Sequence, residues 1–194
     1  SQNANMWRIT NDFWDDWALL KNMFTRCEIW QSHVGPGCWP DCDMLPLGRI
    51  GVKFGQSRQT RFTPDEQKTL LTLWSIFRSP LILGAGLPSL DEATLRLLTN
   101  RDVLRLNRHS FGARQIVRDD AHAVWVSQDE DGSRYAALFN LSEKPREVSL
   151  DLRELEGETF ACRELWSGEE RTAQETLSCV IEPHGARLFR CTEC

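Results

Sequence analysis

Two short runs place ionisable side chains at spacings suited to acid/base chemistry. In Met6-Trp7-Arg8-Ile9-Thr10-Asn11-Asp12, residues 8, 10 and 12 share a face for as long as the backbone stays extended. That brings a guanidinium and a carboxyl together near a strand end. The carboxyl can act as a general acid while the guanidinium holds hydroxyl groups. The alternative is that Asp12 caps the following helix, with Arg8 as its ion-pair partner. In Trp39-Pro40-Asp41-Cys42-Asp43-Met44-Leu45, Asp41 and Asp43 again share a face. Paired carboxylates there can hold a polyhydroxylated ligand, bind a metal or exchange protons; the alternative is that they cap the loop. His33 lies upstream of this pair, but not at a metal-ligand spacing.

Other motifs are weaker. Gly84-Ala85-Gly86 has no side chain for catalysis and reads as a tight turn or a close backbone approach to a ligand. His109, His122 and His184 are scattered. The seven cysteines, an odd number at irregular spacing, do not form a disulfide framework, and Cys191-Thr192-Glu193-Cys194 reads as a frayed tail rather than a metal or redox pair. The chain has no phosphate-binding G-x-x-x-x-G-K and no G-x-S-x-G elbow.

The elements that must position these residues change character near residue 110. Before it, a strand over 6–10, a strand with its following loop over 38–47 and a strand over 81–84 alternate with helices over 15–33, 63–78 and 89–98, followed by a short helical stretch over 102–107. Trp17, Leu20, Phe24, Cys27 and Trp30 give the first helix one apolar face, and Gly35-Pro36-Gly37 stops it. Residues 48–62 read as a glycine- and arginine-bearing loop. Thr63-Pro64-Asp65-Glu66 starts the second helix and Pro80 ends it, while Leu81-Ile82-Leu83-Gly84 reads as a buried strand of the parallel type. After residue 110, seven strand candidates over 115–118, 123–128, 135–140, 147–150, 159–164, 177–181 and 186–190, separated by turn signals, predict an antiparallel sandwich. Three parallel strands cannot close a barrel or a doubly wound sheet by themselves.

Composition sets bounds. The chain has 194 residues, 41% hydrophobic and 26% charged, as expected for globular domains. A net charge of −5 argues against a nucleic-acid partner. No apolar run approaches the roughly 20 residues of a membrane helix, so no membrane partner is expected. Ser1-Gln2-Asn3-Ala4-Asn5 is polar and carries no visible signal segment. Some of the eight tryptophans could stack on sugar rings; core packing is the alternative for each.

Residues 6–17, 35–48 and 65–80, in that order, resemble glycoside hydrolase family 27, whose members include α-galactosidases and α-N-acetylgalactosaminidases. Residues 95–107 and 181–189 are similar too, so the resemblance spans nearly the whole chain. It implies the C-terminal part of a (β/α)8 TIM barrel, about strands 6–8, over residues 1–111, then an antiparallel β-sandwich over 112–194. It further implies retaining hydrolysis of terminal α-D-galactosides through two carboxylates, set about 5–5.5 Å apart in such enzymes. By match to the family, Asp12 is the acid/base, Arg8 contacts the sugar, and Asp43 and Met44 line the pocket. The family's nucleophile, on strand 4 in a Lys-x-Asp motif, has no counterpart here, so the chain is expected to be a fragment, inactive and poorly folded alone. No metal or organic cofactor is expected, and the expected partners are α-galactoside oligosaccharides or glycoconjugates. Two other readings are an inactive remnant and a carbohydrate-binding sandwich using Trp125, Tyr135 and Trp166 as stacking faces.

Overall fold

The computed structural model describes residues 4–194; Ser1, Gln2 and Asn3 of the polar N-terminal run lie outside the described residues. Strands β1 (Met6–Arg8) and β2 (Trp39–Asp41) pair in parallel, with Arg8 opposite Asp41. Helix α1 (Trp17–Trp30) crosses between them and buries Leu20, Met23, Phe24 and Cys27. Its cap is Asp16, whose carboxylate accepts from the Ala18 and Leu19 N–H groups, so Asp12 does not perform that role. The helix is shorter than expected, because residues Gln31–His33 tighten into a 3-10 turn.

The third parallel segment departs from the expected buried strand. Leu45 and Leu83 form one isolated parallel bridge, in which Leu45 N–H donates to Ile82 O at 2.7 Å and Gly84 N–H to Leu45 O at 2.9 Å. Ile82 is exposed. A parallel strand is buried when neighbours cover both edges and both faces. Among the described residues this segment is paired on one edge only.

Residues 48–62 are more ordered than a loop. They contain the hairpin β3 (Arg49–Ile50) and β4 (Arg58–Gln59), closed over the 3-10 turn Val52–Phe54. Gly51 and Gly55 flank that turn in the left-handed conformation, and a Cβ on Gly51 would lie 2.4 Å from Gln56 O.

Helix α2 (Pro64–Phe77) opens with a full capping box: Thr63 Oγ1 accepts from Glu66 N–H, and the Glu66 carboxylate accepts from Thr63 N–H. Pro80 stands two residues past its C-cap, where it blocks any continuation. Arg78 terminates the helix in the left-handed conformation (φ 64°), and its guanidinium donates to the carbonyls of Asn107, Arg108 and Ser110. These bonds satisfy the C-terminal carbonyls of α4 (Arg101–His109), which follows α3 (Glu92–Leu98). Asp91 and Asn100 cap those two helices.

The remaining strands are β5 (Ser110–Arg118), β6 (His122–Asp129), β7 (Arg134–Asn140), β8 (Arg146–Asp151), β9 (Thr159–Glu164), β10 (Glu170–Gln174), β11 (Thr176–Ile181) and β12 (Ala186–Glu193). They form one antiparallel sheet in the order β5-β6-β7-β12-β9-β10-β11-β8. The sheet curls around a core that includes Val124, Leu138, Val148, Phe160, Leu177 and Phe189. Its other face, through Trp125, Tyr135, Phe139 and Leu188, shares a core with Phe24, Leu70, Trp74 and Phe77 of α1 and α2. Strands β6 and β7 are therefore apolar on both sides and read as near-continuous hydrophobic runs.

Two expectations for this half need correction. Strand β10 was not among the seven candidates, because in Glu-Arg-Thr-Ala-Gln only Ala173 is buried and the period-2 signal is lost. The C-terminal CxxC is not frayed: β12 pairs to Glu193, and Cys191 lies opposite Cys162 with the sulfurs 3.1 Å apart.

Candidate active site

The C-terminal ends of the parallel segments bring four groups of residues together. Arg8 ends β1, and its guanidinium reaches Asp43 Oδ2 at 2.9 Å and Asp12 Oδ1 at 3.4 Å. Asp12 follows β1 with its side chain 90% exposed. Arg26 Nη1 donates to Ile9 O at 2.9 Å and steadies the chain between Arg8 and Asp12.

Asp43 does not share a face with Asp41. Strand β2 ends at Asp41, and Asp43 takes a left-handed conformation (φ 76°) that breaks the extended alternation. Each carboxylate then makes a different contact. Buried Asp41 accepts from Asp43 N–H at 2.8 Å and closes the turn, whereas Asp43 accepts from Phe13 N–H at 2.7 Å and pairs with Arg8. Trp74 Nε1 donates to Asp43 O at 3.0 Å and holds the unusual backbone in place. The loop-capping alternative thus describes Asp41 fully and Asp43 in part.

Met44 is half-buried and lies over Gly84. A Cβ on Gly84 would lie 2.5 Å from Met44 Sδ, so glycine there makes room for the thioether.

Sequence reasoning missed a second layer. Asp15 is 3% exposed, yet its partners favour the carboxylate: Arg58 Nη2 donates to it at 2.7 Å and Arg61 N–H at 2.6 Å. Burial alone would raise its pKa; the Arg58 and Arg61 hydrogen bonds outweigh burial and hold the carboxyl below its ordinary value. This pair clamps the β3–β4 hairpin against the segment that follows β1. Trp14 and Phe54 meet above it, ring centroids 6.3 Å apart. The residues at 15 and 58 carry no mutual signal in the sequence, because their contact exists only once the hairpin folds back.

The histidines lie elsewhere. His109 faces Glu130, and His122 faces Asp119. His184 stacks on Trp17 at 3.8 Å, with Glu66 on Nδ1 and Glu143 on Nε2. Among the described residues no cluster of three His, Cys, Asp or Glu side chains gathers at metal-binding range. No helix of the described residues is long and apolar enough to cross a membrane. Of the sandwich aromatics, Trp125 and Tyr135 are fully buried, and Trp166 donates from Nε1 to Thr72 at 3.0 Å. Trp125 and Tyr135 therefore offer no stacking face, while the Trp166 ring is half-buried.

Residues 1–109 match the family described as Alpha galactosidase A, and residues 119–191 match the Alpha galactosidase C-terminal beta sandwich domain. The chain belongs to glycoside hydrolase family 27. Its parallel segments are the last strands of that family's (β/α)8 barrel, and its curled antiparallel sheet is the C-terminal sandwich. A solved β-L-arabinopyranosidase of the family from Geobacillus stearothermophilus is 48% identical, with a TM-score of 0.95 over 100% of this chain and 46% of its own. Alpha-galactosidase D of Emericella nidulans is 33% identical over 98% of this chain and 28% of its own length. Alpha-galactosidase 2 of Arabidopsis thaliana is 25% identical over 97% and 47%. The chain thus spans less than half the length of these relatives. The family chemistry is glycoside hydrolysis.

Proposed function

We propose that residues 1–111 are the acid/base side of a retaining catalytic barrel that releases terminal α-D-galactosyl groups from oligosaccharides or glycoconjugates, and that 112–194 are the sandwich that braces it. The nucleophile is carried on a segment outside these 194 residues, so the chain alone is inactive. The observation that carries this reading is the Arg8 guanidinium set between exposed Asp12 and Asp43 at a barrel strand end. In the first step protonated Asp12 gives its proton to the glycosidic oxygen as the nucleophile takes the anomeric carbon. In the second, ionised Asp12 takes a proton from water, which displaces the enzyme carboxylate. Arg8 and Asp43 hold the sugar hydroxyls, and Met44 supplies an apolar wall.

A second reading is favoured by the 48% identity to a β-L-arabinopyranosidase. That sugar has the galacto arrangement without the exocyclic hydroxymethyl group, so one acid/base and one hydroxyl clamp serve both.

The test is to express the protein with whatever its reading frame places ahead of residue 1 and to assay α-D-galactosides and β-L-arabinopyranosides side by side. Hydrolysis with retention, abolished by Asp12→Asn, is expected. Full activity of Asp12→Asn on unactivated substrates overturns the reading.

A further inference from the structure

Trp14 follows Asp12 by two residues, and its ring meets that of Phe54 from the hairpin. Along 12–15 exposure alternates: Asp12 points out, Phe13 is buried, Trp14 is half-exposed and Asp15 is buried. That period-2 pattern puts Asp12 and Trp14 on one outward face, their Cα atoms about 7 Å apart. Phe54 comes to the same place from the hairpin, 69% exposed, with its ring at 64° to the indole. The two rings make an open apolar corner.

The corner is a built feature. The Asp15–Arg58 clamp holds one strand of the hairpin, and Arg49 Nη1 donates to Ser57 at 2.7 Å across its mouth. Gln56 N–H and Phe54 N–H both donate to Gly51 O, which fixes the tip that carries Phe54. An exposed aromatic on an isolated tip would need no explanation. Here, four separate polar contacts aim one at a second aromatic.

We infer that Trp14 and Phe54 form the subsite for the leaving group, and that this group is a neutral pyranose of an oligosaccharide. The inference rests on Asp12 being the acid/base. An acid that protonates the glycosidic oxygen stands on the leaving-group side of the bond, so whatever departs passes over the Asp12–Trp14 face. An aromatic ring offers its face to the C–H side of a pyranose. The β3–β4 hairpin thereby becomes the element that selects the aglycone.

The experiment measures kcat/KM for a disaccharide and for the methyl glycoside of the same terminal sugar, in the protein expressed with its upstream reading frame. Phe54→Ala is expected to lower the disaccharide-to-methyl ratio about tenfold, Trp14→Ala at least as much, and Phe54→Tyr to keep it. Circular dichroism and melting temperature show whether each variant is folded, and exposed Phe54 carries the test if Trp14→Ala is not. An unchanged ratio in folded Phe54→Ala overturns the inference even where Asp12→Asn is dead. Persistent hydrolysis by Asp12→Asn is a separate result that overturns the functional reading beneath it. A Phe54→Ala ratio that falls for an aryl glycoside but not for the disaccharide also overturns it, because the corner then serves an aromatic aglycone.

Discussion

Arg8 at the end of β1 and Asp43 beyond β2 form an ion pair at 2.9 Å, closer than the 3.4 Å contact from Arg8 to Asp12. Asp43 thus sets the guanidinium, while Asp12 stays exposed. Losing a hydrogen bond made by a charged group costs about 1.5–3 kcal/mol, so Arg8→Ala is expected to lower kcat/KM by at least about tenfold. Arg8→Lys is expected to recover little, since an ammonium cannot bridge two carboxylates with a rigid fork. Steady-state kinetics of the three proteins check both statements.

The Asp15–Arg58 clamp makes a stability prediction. Arg58→Ala leaves the Asp15 carboxylate buried without its main donor, and about 2–3 kcal/mol of destabilisation is expected in urea unfolding. Hydrogen exchange should also quicken at the hairpin amides of 49–59 before the rest of the protein.

Acid sensitivity comes from a second carboxylate. Buried Asp129 accepts from Arg105 at 2.7 and 3.0 Å and from Tyr135 Oη at 2.6 Å, joining α4 to the sandwich. Burial opposes the charge, but the Arg105 and Tyr135 bonds prevail and lower its pKa to about 2 from 3.8. A depressed carboxyl contributes stability that is fully present above its unfolded value. That stability is therefore expected to fade as pH drops from about 3.8 to about 2. Asp129→Asn should flatten this part of the stability–pH curve and destabilise the protein by about 3 kcal/mol at neutral pH.

Glu66 holds two structures at once. One oxygen closes the α2 capping box through Thr63 N–H at 2.8 Å, and the other meets His184 Nδ1 at 2.8 Å on the sandwich side. Thr63→Ala is expected to cost about 1 kcal/mol. A double-mutant cycle between Glu66→Gln and His184→Gln should return a coupling of about 1 kcal/mol or more, because the pair is largely removed from water. Additive effects would mean that the cap alone matters.

Gly84→Ala tests the room made for Met44. The added methyl meets Sδ at 2.5 Å and Leu45 O at 3.2 Å, and must displace the Met44 side chain from the wall proposed for it. An increase of at least severalfold in KM with little change in melting temperature is expected.

Much of this protein was legible in the sequence because the deciding forces are local. The capping box of α2, the apolar stripe of α1 and the strand pattern over 122–164 depend on neighbours within a few residues, and each appears in the structure. The three motifs of the barrel segments pointed to the family, and Arg8 and Asp12 do lie within reach of each other. What the sequence could not decide involves partners far along the chain. The expected common face of Asp41 and Asp43 fails because Asp43 turns left-handed, held by Phe13 N–H and Trp74 Nε1. The Arg78 guanidinium reaches the carbonyls that end α4, a contact between distant segments. The 81–84 strand shrinks to a single bridge because a parallel strand takes its burial from its neighbours. Asp15, Arg58, Trp14 and Phe54 became a unit only when the hairpin folded over the strand end. Local propensity and periodicity are written into the order of residues, but ion pairs and stacked rings between distant segments are set by tertiary packing alone.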